Sequence, residues 1–381
     1  MNHLHTDIDT VQSPKHPGHP CGDVVAWERK AEGTVIILAD GLGSGIQANL
    51  DATLFVSWLQ QHLADGDSLR EAMSRVVRTL REARHDDVPF AAISLAHIRH
   101  DGGAVILGHE TPPPILISDR CATVPGHHTL KMNTETVREC HCRLHPGDAL
   151  MLVSDGITQA GLEAKKPRGW TIEGVRKRVH HLAQAGRDLS GLARNIHDHA
   201  RSISSTGHDD TTVALARCRE GTVVNVLTGP PADPDKDAEI VRRFFQSAGR
   251  RIVCGGTTAE VVARETGRVI DMEQEPASRI APPRSAIDGV DLVTEGSISL
   301  NQVYNVLDED AAELEDDSAV SDLHRHLHEA DRVNFTVGRA ENPASDDIVF
   351  RQKGILAREK IVPLLADKLR DTGKLVSVRW V

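Results

Sequence analysis

The strand-like run Thr34–Ala39 (TVIILA) ends on Asp40, and the chain passes at once into Gly41-Leu42-Gly43-Ser44-Gly45. A buried strand that stops on a carboxylate is an expensive arrangement, because an ionised oxygen taken out of water needs a compensating partner. The pattern recurs. Asp155 follows ALMLVS and precedes Gly156, Asp209 and Asp210 precede TTVALA, and Asp23 opens DVVAWER after Gly22. A fold for this chain must deliver these strand ends to water or to something cationic, and four such lips can converge on one point.

The segments between them have a readable order. Residues 23–29 and 34–39 form a hairpin pattern around Glu32 and Gly33. From Ser44 to Leu63, Ile46, Leu50, Leu54, Trp58 and Leu59 recur at helical spacing, and a second helix over 67–84 carries Leu69, Met73, Val76, Val77 and Leu80. Apolar runs at 89–98, 104–109, 114–118 and 148–153 are separated by Gly- and Pro-rich turns. Helices over 171–184 and 188–203 and a strand over 211–217 close the region. This order is α+β, not alternating βαβ, and predicts a sandwich of antiparallel sheets with helices outside. Aromatic residues make up only 3% of the chain, so its cores must be filled mainly by Val, Ile, Leu and Ala.

At 381 residues the chain exceeds what one core usually spans. The reading is a polar N-terminal tail (1–19), a first domain (20–219), a linker region (220–237) containing GPPADPDKD, and a second α/β domain (238–381) of regulatory or partner-binding character. In the second domain a helix (236–248), the strand RIVCGG, the helix TTAEVVARETG, a strand at 287–294, a helix at 355–371 and the strand KLVSVRWV are expected. The run 308–317, rich in acids, reads as a solvated linker or helix face. Cys254-Gly255-Gly256-Thr257-Thr258 is either an anion-holding helix start or a tight turn with a Thr cap. On a helix, His324, His326 and His328 diverge and make no joint metal site.

Composition removes several classes of function. A formal charge of −11 disfavours nucleic acid as a partner. No apolar run reaches the roughly 18 residues that a membrane span needs, and the N-terminus lacks the apolar centre of a secretion signal. A cytoplasmic location without membrane association is therefore expected; homodimerisation is compatible with the sequence. The six cysteines lack paired CxxC spacing, and Cys140 and Cys142 share one face of a strand, as packing residues do.

Aspartates without intervening Cys or His are the ligand set that hard cations such as Mg²⁺ and Mn²⁺ prefer. A neighbouring glycine lets a backbone carbonyl approach the ion. The series CGD (21–23), ADGLGSGIQAN (39–49), GHETPPPILIS (108–118), VSDGITQAG (153–161) and GHDDTTVALAR (207–217) resembles the bacterial SpoIIE-type branch of the metal-dependent, protein phosphatase 2C-like family. The resemblance covers residues 20–217 or so and implies that family's fold, a pair of antiparallel sheets with helices on both outer faces. It also implies two Mn²⁺ or Mg²⁺ ions. Asp40 would bridge them, Asp155 and Asp209 would complete the first shell, and Asp23 with the Gly41 carbonyl would serve the second ion. Asp210 is the alternative of the adjacent pair. Gly108 and His109 match a structural segment into which Glu110 and Thr111 are inserted here. Leu42 stands where animal members place a His, so the proton donor is open between water and His208.

The activity implied is hydrolysis of phosphoserine or phosphothreonine on a small regulatory protein, by attack of a metal-activated water with Asp40 and Asp155 as the central carboxylates. Two other readings stand beside it: a binding protein that keeps the fold without turnover, and a phosphatase of small molecules.

Overall fold

The computed structural model describes residues 3–83, 90–132, 135–162, 168–186, 189–204, 209–272, 285–309, 314, 318–340 and 354–381. The chain divides into two compact units, Leu4–Glu220 and Gly221–Val381, the latter together with Met1–His3.

The first unit holds strands β1 (Leu4–Ser13), β2 (Asp23–Lys30), β3 (Gly33–Gly41), β4 (Ala91–Arg99), β5 (Gly103–His109), β6 (Ile115–Ser118), β7 (Cys121–Thr123), β8 (His127–Met132), β9 (Glu135–Arg143), β10 (Ala149–Val153) and β11 (Thr211–Glu220). Its helices are α1 (Ile46–Ala64), α2 (Leu69–Ala83), α3 (Asp155–Gln159), α4 (Thr171–Gln184) and α5 (Leu192–Ile203). The strands make two antiparallel sheets in the orders β2-β3-β4-β5-β9-β8 and β1-β11-β10-β6-β7. Ile36, Leu38, Ile98 and Ile106 of one sheet meet Leu150, Leu152, Ala214 and Ala216 of the other. The opposite faces are covered by helices: Val35, Ile37 and Ala39 pack with Phe55, Leu59 and Met73, and Met151, Val153 and Val213 pack with Val175, Val179 and Ile196. This explains why the run before Asp40 is apolar at successive positions. Alternate side chains of β3 enter two different cores, each such burial contributing about 1.5–3 kcal/mol.

In α1 the buried side is lined by Ala48, Ala52, Phe55, Val56 and Leu59. Ile46 and Leu50 are exposed by 64% and 57%, so only Leu59 of the five apolar positions read at helical spacing is buried. The small residues Ala48 and Ala52 let the helix lie close on β3, and that close approach selects the face. Large side chains at 46 and 50 are left outside.

The segment expected as a polar tail contains β1. It pairs with β11 from Leu4↔Glu220 to Ser13↔Thr211. It is an edge strand, and its outward side carries Asp7 and Asp9, which meet Arg219 and Arg217 at 2.9 and 2.7 Å. Leu4 and Ile8 face the core between the sheets while Val11 lies on the other face with Asp7 and Asp9, so no single apolar alternation announces the strand in sequence.

The second unit comprises β12 (Val223–Thr228), α6 (Asp237–Gln246), β13 (Arg250–Cys254), α7 (Gly256–Thr266), β14 (Asp271–Met272), β15 (Ser285–Ala286), β16 (Leu292–Thr294), α8 (Ser297–Val306), α9 (Ala319–Glu329), β17 (Arg332–Val337), α10 (Arg358–Asp371) and β18 (Leu375–Trp380). Its sheet runs β14-β15-β16-β13-β12-β17-β18, with β16 through β18 parallel. Helices α6 and α7 cover one face through Ile240, Phe244 and Val262, and α8, α9 and α10 cover the other through Leu300, Leu323 and Ile361. This is an α/β, doubly wound arrangement.

The expected linker 220–237 in fact supplies β12, the middle strand of the parallel set. Its buried Asn225 donates to the carbonyl of Ala248 at 2.9 Å and accepts from Asn334 at 2.9 Å. The Pro-rich stretch that suggested a linker begins only after that strand. In the Cys254–Thr258 segment β13 runs through the single residue Gly255 directly into α7, and no Thr side chain caps the helix. Gly255 precedes α7 with φ +121°, and the Thr258 hydroxyl accepts from the Gly229 amide at 2.9 Å. On α9, His324 stacks on His328 at 5.7 Å while His326 faces Arg250 at 3.1 Å, so the three do not converge. Most of the acidic run 308–317 lies outside the described residues. Among the described residues, no helix is long and apolar enough to cross a membrane.

Candidate metal centre

Each sheet ends its central strands at the same lip. Asp23 opens β2 and stands directly opposite Asp40 in the β2–β3 register. From the other sheet, Asp155 begins α3 straight after β10 and Ser154, while Asp209 and Asp210 lead into β11.

The two halves are stitched together by a small polar network. The Thr212 hydroxyl donates to Asp23 Oδ2 at 2.6 Å, and the Thr212 amide donates to the Ser154 hydroxyl at 2.9 Å. Gln12 Nε2 donates to the Asp23 carbonyl at 3.2 Å and to Thr212 Oγ1 at 3.0 Å. Gln159 Nε2 donates to Asp155 Oδ2 at 2.7 Å, one helical turn on. The Lys15 amide donates to Asp210 Oδ1 at 2.8 Å and its ammonium reaches Asp209 at 3.4 Å.

Glycines make this close approach feasible. A Cβ on Gly41 would lie 2.0 Å from the Ala48 carbonyl, one on Gly22 would lie 2.7 Å from Asp210 Oδ2, and one on Gly156 would lie 2.1 Å from the Asp210 carbonyl. Strand end, helix start and aspartate loop therefore touch through backbone. Any side chain at these positions would force them apart.

Asp40 lies within hydrogen-bonding reach of both Asp23 and Asp155. Burial, with the like charges of Asp23 and Asp155 added, pushes its carboxyl up to about 10. Burial pushes Asp23 up to about 6, against the hydrogen bonds from Thr212 and Ser154. Burial and the charge of Asp209 also raise Asp155. Cys21, beside Asp23, is driven up to about 12 mainly by burial, which leaves it an inert thiol.

The residues fit divalent cations by two observations. Asp23 Oδ1 and Asp210 Oδ2 are buried without a hydrogen-bond partner among the described residues. Carboxylates forced together against their own charge gain most from a hard cation, which prefers oxygen donors. Protons are the alternative occupant, as the raised values of Asp23 and Asp40 record.

Asp40 thus reaches Asp23 on one side and Asp155 on the other, although no three of these aspartates offer ligand atoms all within 4.8 Å of one another among the described residues; Asp209 acts on Asp155, and Asp210 lies beside Gly22 and Lys15. Gly41 is buried at the end of β3, its amide donating to the Gly22 carbonyl at 3.3 Å. Leu42 is 70% exposed. His208 lies outside the described residues. Sequence reasoning missed Lys15, Gln12, Ser154 and Thr212. Thr212 and Ser154 flank the aspartate motifs and carried a signal; Lys15 and Gln12 sit in the stretch read as a tail and carried none.

Residues 30–219 match the family model described as Stage II sporulation protein E (SpoIIE). No curated protein matches the chain. Among solved structures, the phosphatase domain of SpoIIE from Bacillus subtilis is 19% identical, covering 58% of this chain and 96% of that one, with a TM-score of 0.46. The RsbU and RsbW domains of Rv1364c from Mycobacterium tuberculosis are 17% identical over 64% of this chain and 68% of that one, with a TM-score of 0.49. RsbX in complex with magnesium is 15% identical over 57% of this chain and 96% of that one, with a TM-score of 0.39.

Proposed function

Residues 30–219 form a SpoIIE-type phosphatase domain, and we propose that it hydrolyses phosphoserine or phosphothreonine on a regulatory protein, using two divalent cations, Mn²⁺ or Mg²⁺. The observation that carries this reading is the position of Asp40 between Asp23 and Asp155, with Asp23 Oδ1 enclosed and unpartnered.

In this reading Asp40 with Asp155 and Asp209 would hold one cation and Asp40 with Asp23 and the Gly41 carbonyl the other; Asp210 is the alternative to Asp209. When bound, such ions supply an acidified water and positive charge that offsets the phosphoryl oxygens. The chain's own residues do the positioning. Thr212 and Gln159 fix the Asp23 and Asp155 carboxylates by the bonds described above, so the ligand oxygens are set before an ion arrives. The absent Cβ of Gly41 lets the Ala48 backbone of α1 close on the strand end that carries Asp40. Lys15 brings an ammonium to the rim at Asp209, where it can orient a phosphate dianion. A protein substrate suits the domain because Leu42, beside Gly41, and Ile46 and Leu50 further along are exposed apolar side chains that a phosphopeptide can cover. The α/β unit is read as a regulatory module for the phosphatase unit.

The test measures hydrolysis of p-nitrophenyl phosphate and of a phosphoserine peptide by the full chain with Mn²⁺, Mg²⁺ or EDTA, beside Asp40→Asn. Turnover that needs the ion and is lost in the variant is expected. An Asp40→Asn protein that turns over as fast as the parent overturns the reading. Tight ion binding with no turnover on either substrate would establish a binding protein on the same fold.

A further inference from the structure

We propose that His109, Glu110 and Glu135 form a second metal site, separate from the aspartate centre, that takes a first-row transition ion such as Zn²⁺. It rests on none of the residues assigned above to catalysis.

One ligand atom from each residue lies within 4.8 Å of the other two. His109 ends β5 and Glu135 begins β9, the neighbouring strand, where Gly108 stands opposite Arg138. Counting on through that antiparallel register puts His109 opposite Val137, on the same face as Glu135. Glu110 follows His109 with φ +57°, a left-handed turn that carries the chain off the strand at that point.

The His109–Glu135 contact is a long hydrogen bond whose spacing is also that of two ligands on one ion. His109 Nε2 and Glu135 Oε2 are 3.3 Å apart. A charge-assisted N–H···O bond closes to about 2.7–2.9 Å. The edge of a tetrahedron with metal–ligand bonds of about 2.0–2.1 Å is about 3.3 Å. His109 is 1% exposed, and its Nδ1 is enclosed without a hydrogen-bond partner among the described residues. A buried imidazole with one nitrogen unpaired and the other at ligand spacing from a carboxylate is a polar group that packing alone does not satisfy. The ring is held in place by Phe90, its centroid 6.4 Å away.

Donor chemistry separates this site from the aspartate centre. An imidazole with two carboxylates selects Zn²⁺, Co²⁺ or Mn²⁺ over Mg²⁺, which an all-oxygen set suits. The registers place the two at the same end of one sheet, since Asp40 is opposite Ala92 and His109 is opposite Ile93. A bound ion would clamp the end of β5 to the start of β9.

The experiment titrates the full chain with Zn²⁺ against a chromophoric chelator in saturating Mg²⁺, which occupies oxygen-only sites. One equivalent of Zn²⁺ is expected beyond magnesium, weakened by about tenfold or more in Glu135→Gln and in Glu110→Gln, and unchanged in Asp40→Asn. Glu110 is exposed, so its substitution keeps the test valid if a change at His109 or Glu135 unfolds the domain, and a thermal melt verifies folding. No Zn²⁺ uptake over Mg²⁺, or equal uptake by parent and both Glu variants, overturns the proposal. Loss of the equivalent in Asp40→Asn alone would assign the ion to the aspartate centre and overturn it equally.

Discussion

Asp23 and Asp40 face each other across the β2–β3 ladder, and the hydroxyl that holds Asp23, that of Thr212, comes from the opposite sheet. Two carboxylates in register on adjacent strands repel when ionised. The sandwich nevertheless places both at its closed end, beside Asp155.

Metal-free protein should therefore lose stability as pH rises. Asp23 and Asp40 have folded values raised above the unfolded carboxylate value, to about 6 and about 10. A raised value contributes stability that is full below the unfolded value of about 3.9 and is lost as pH climbs through the folded one. In EDTA, the melting temperature should fall from pH 5 to pH 8, and Mn²⁺ or Mg²⁺ should restore it at pH 8. Differential scanning calorimetry checks this, and a flat profile in EDTA would mean the carboxylates are solvated.

Asp40→Asn should raise the melting temperature of the metal-free protein at pH 8 while abolishing the gain on adding the ion. With a folded value of about 10, Asp40 must take up a proton to fold at pH 8 and an Asn need not, and each kcal/mol is worth about 2–4 °C in a domain of this size. Thermal melts with and without Mn²⁺ separate this outcome from ordinary damage, which would lower both curves.

Thr212→Val should shift cation binding to higher pH. The hydroxyl's 2.6 Å bond favours the ionised form of Asp23, and without it that carboxylate holds its proton more tightly. Losing a partner for a buried charged group costs about 1–3 kcal/mol. Isothermal titration with Mn²⁺ at pH 6 and pH 8 should show a larger affinity loss at pH 6.

Gly41→Ala should destabilise the fold and disturb the site together. The new Cβ would lie 2.0 Å from the Ala48 carbonyl, which belongs to helix backbone and cannot rotate away. Separating α1 from β3 costs about 1–3 kcal/mol. Gly43→Ala is the control, since nothing lies within 4 Å of its Cβ position, although its φ of +94° carries a backbone cost. Urea denaturation should rank Gly41→Ala below Gly43→Ala, and Mn²⁺ affinity should drop only in the former.

The aspartates were legible because each interrupts an apolar run, and so were the helix-covered sheets, because β3 and β10 are apolar through several successive positions. The edge strand β1 was not. Its long pairing with β11 joins residues some 200 positions apart, and nothing near Leu4 signals a partner at Glu220. For the same reason Lys15 and Gln12 were invisible as neighbours of Asp210 and Asp23.

Sequence alone determined which residues end the strands and where glycine had to stand. Tertiary structure decided which face of α1 is buried, that β12 and not a linker opens the second unit, and that His109 meets Glu110 and Glu135. The physical reason is the range of the forces. Periodicity and turn chemistry act over a few residues and can be read along the chain. Charge repulsion at Asp40, and the enclosure of a single imidazole nitrogen, depend on groups that only folding brings together.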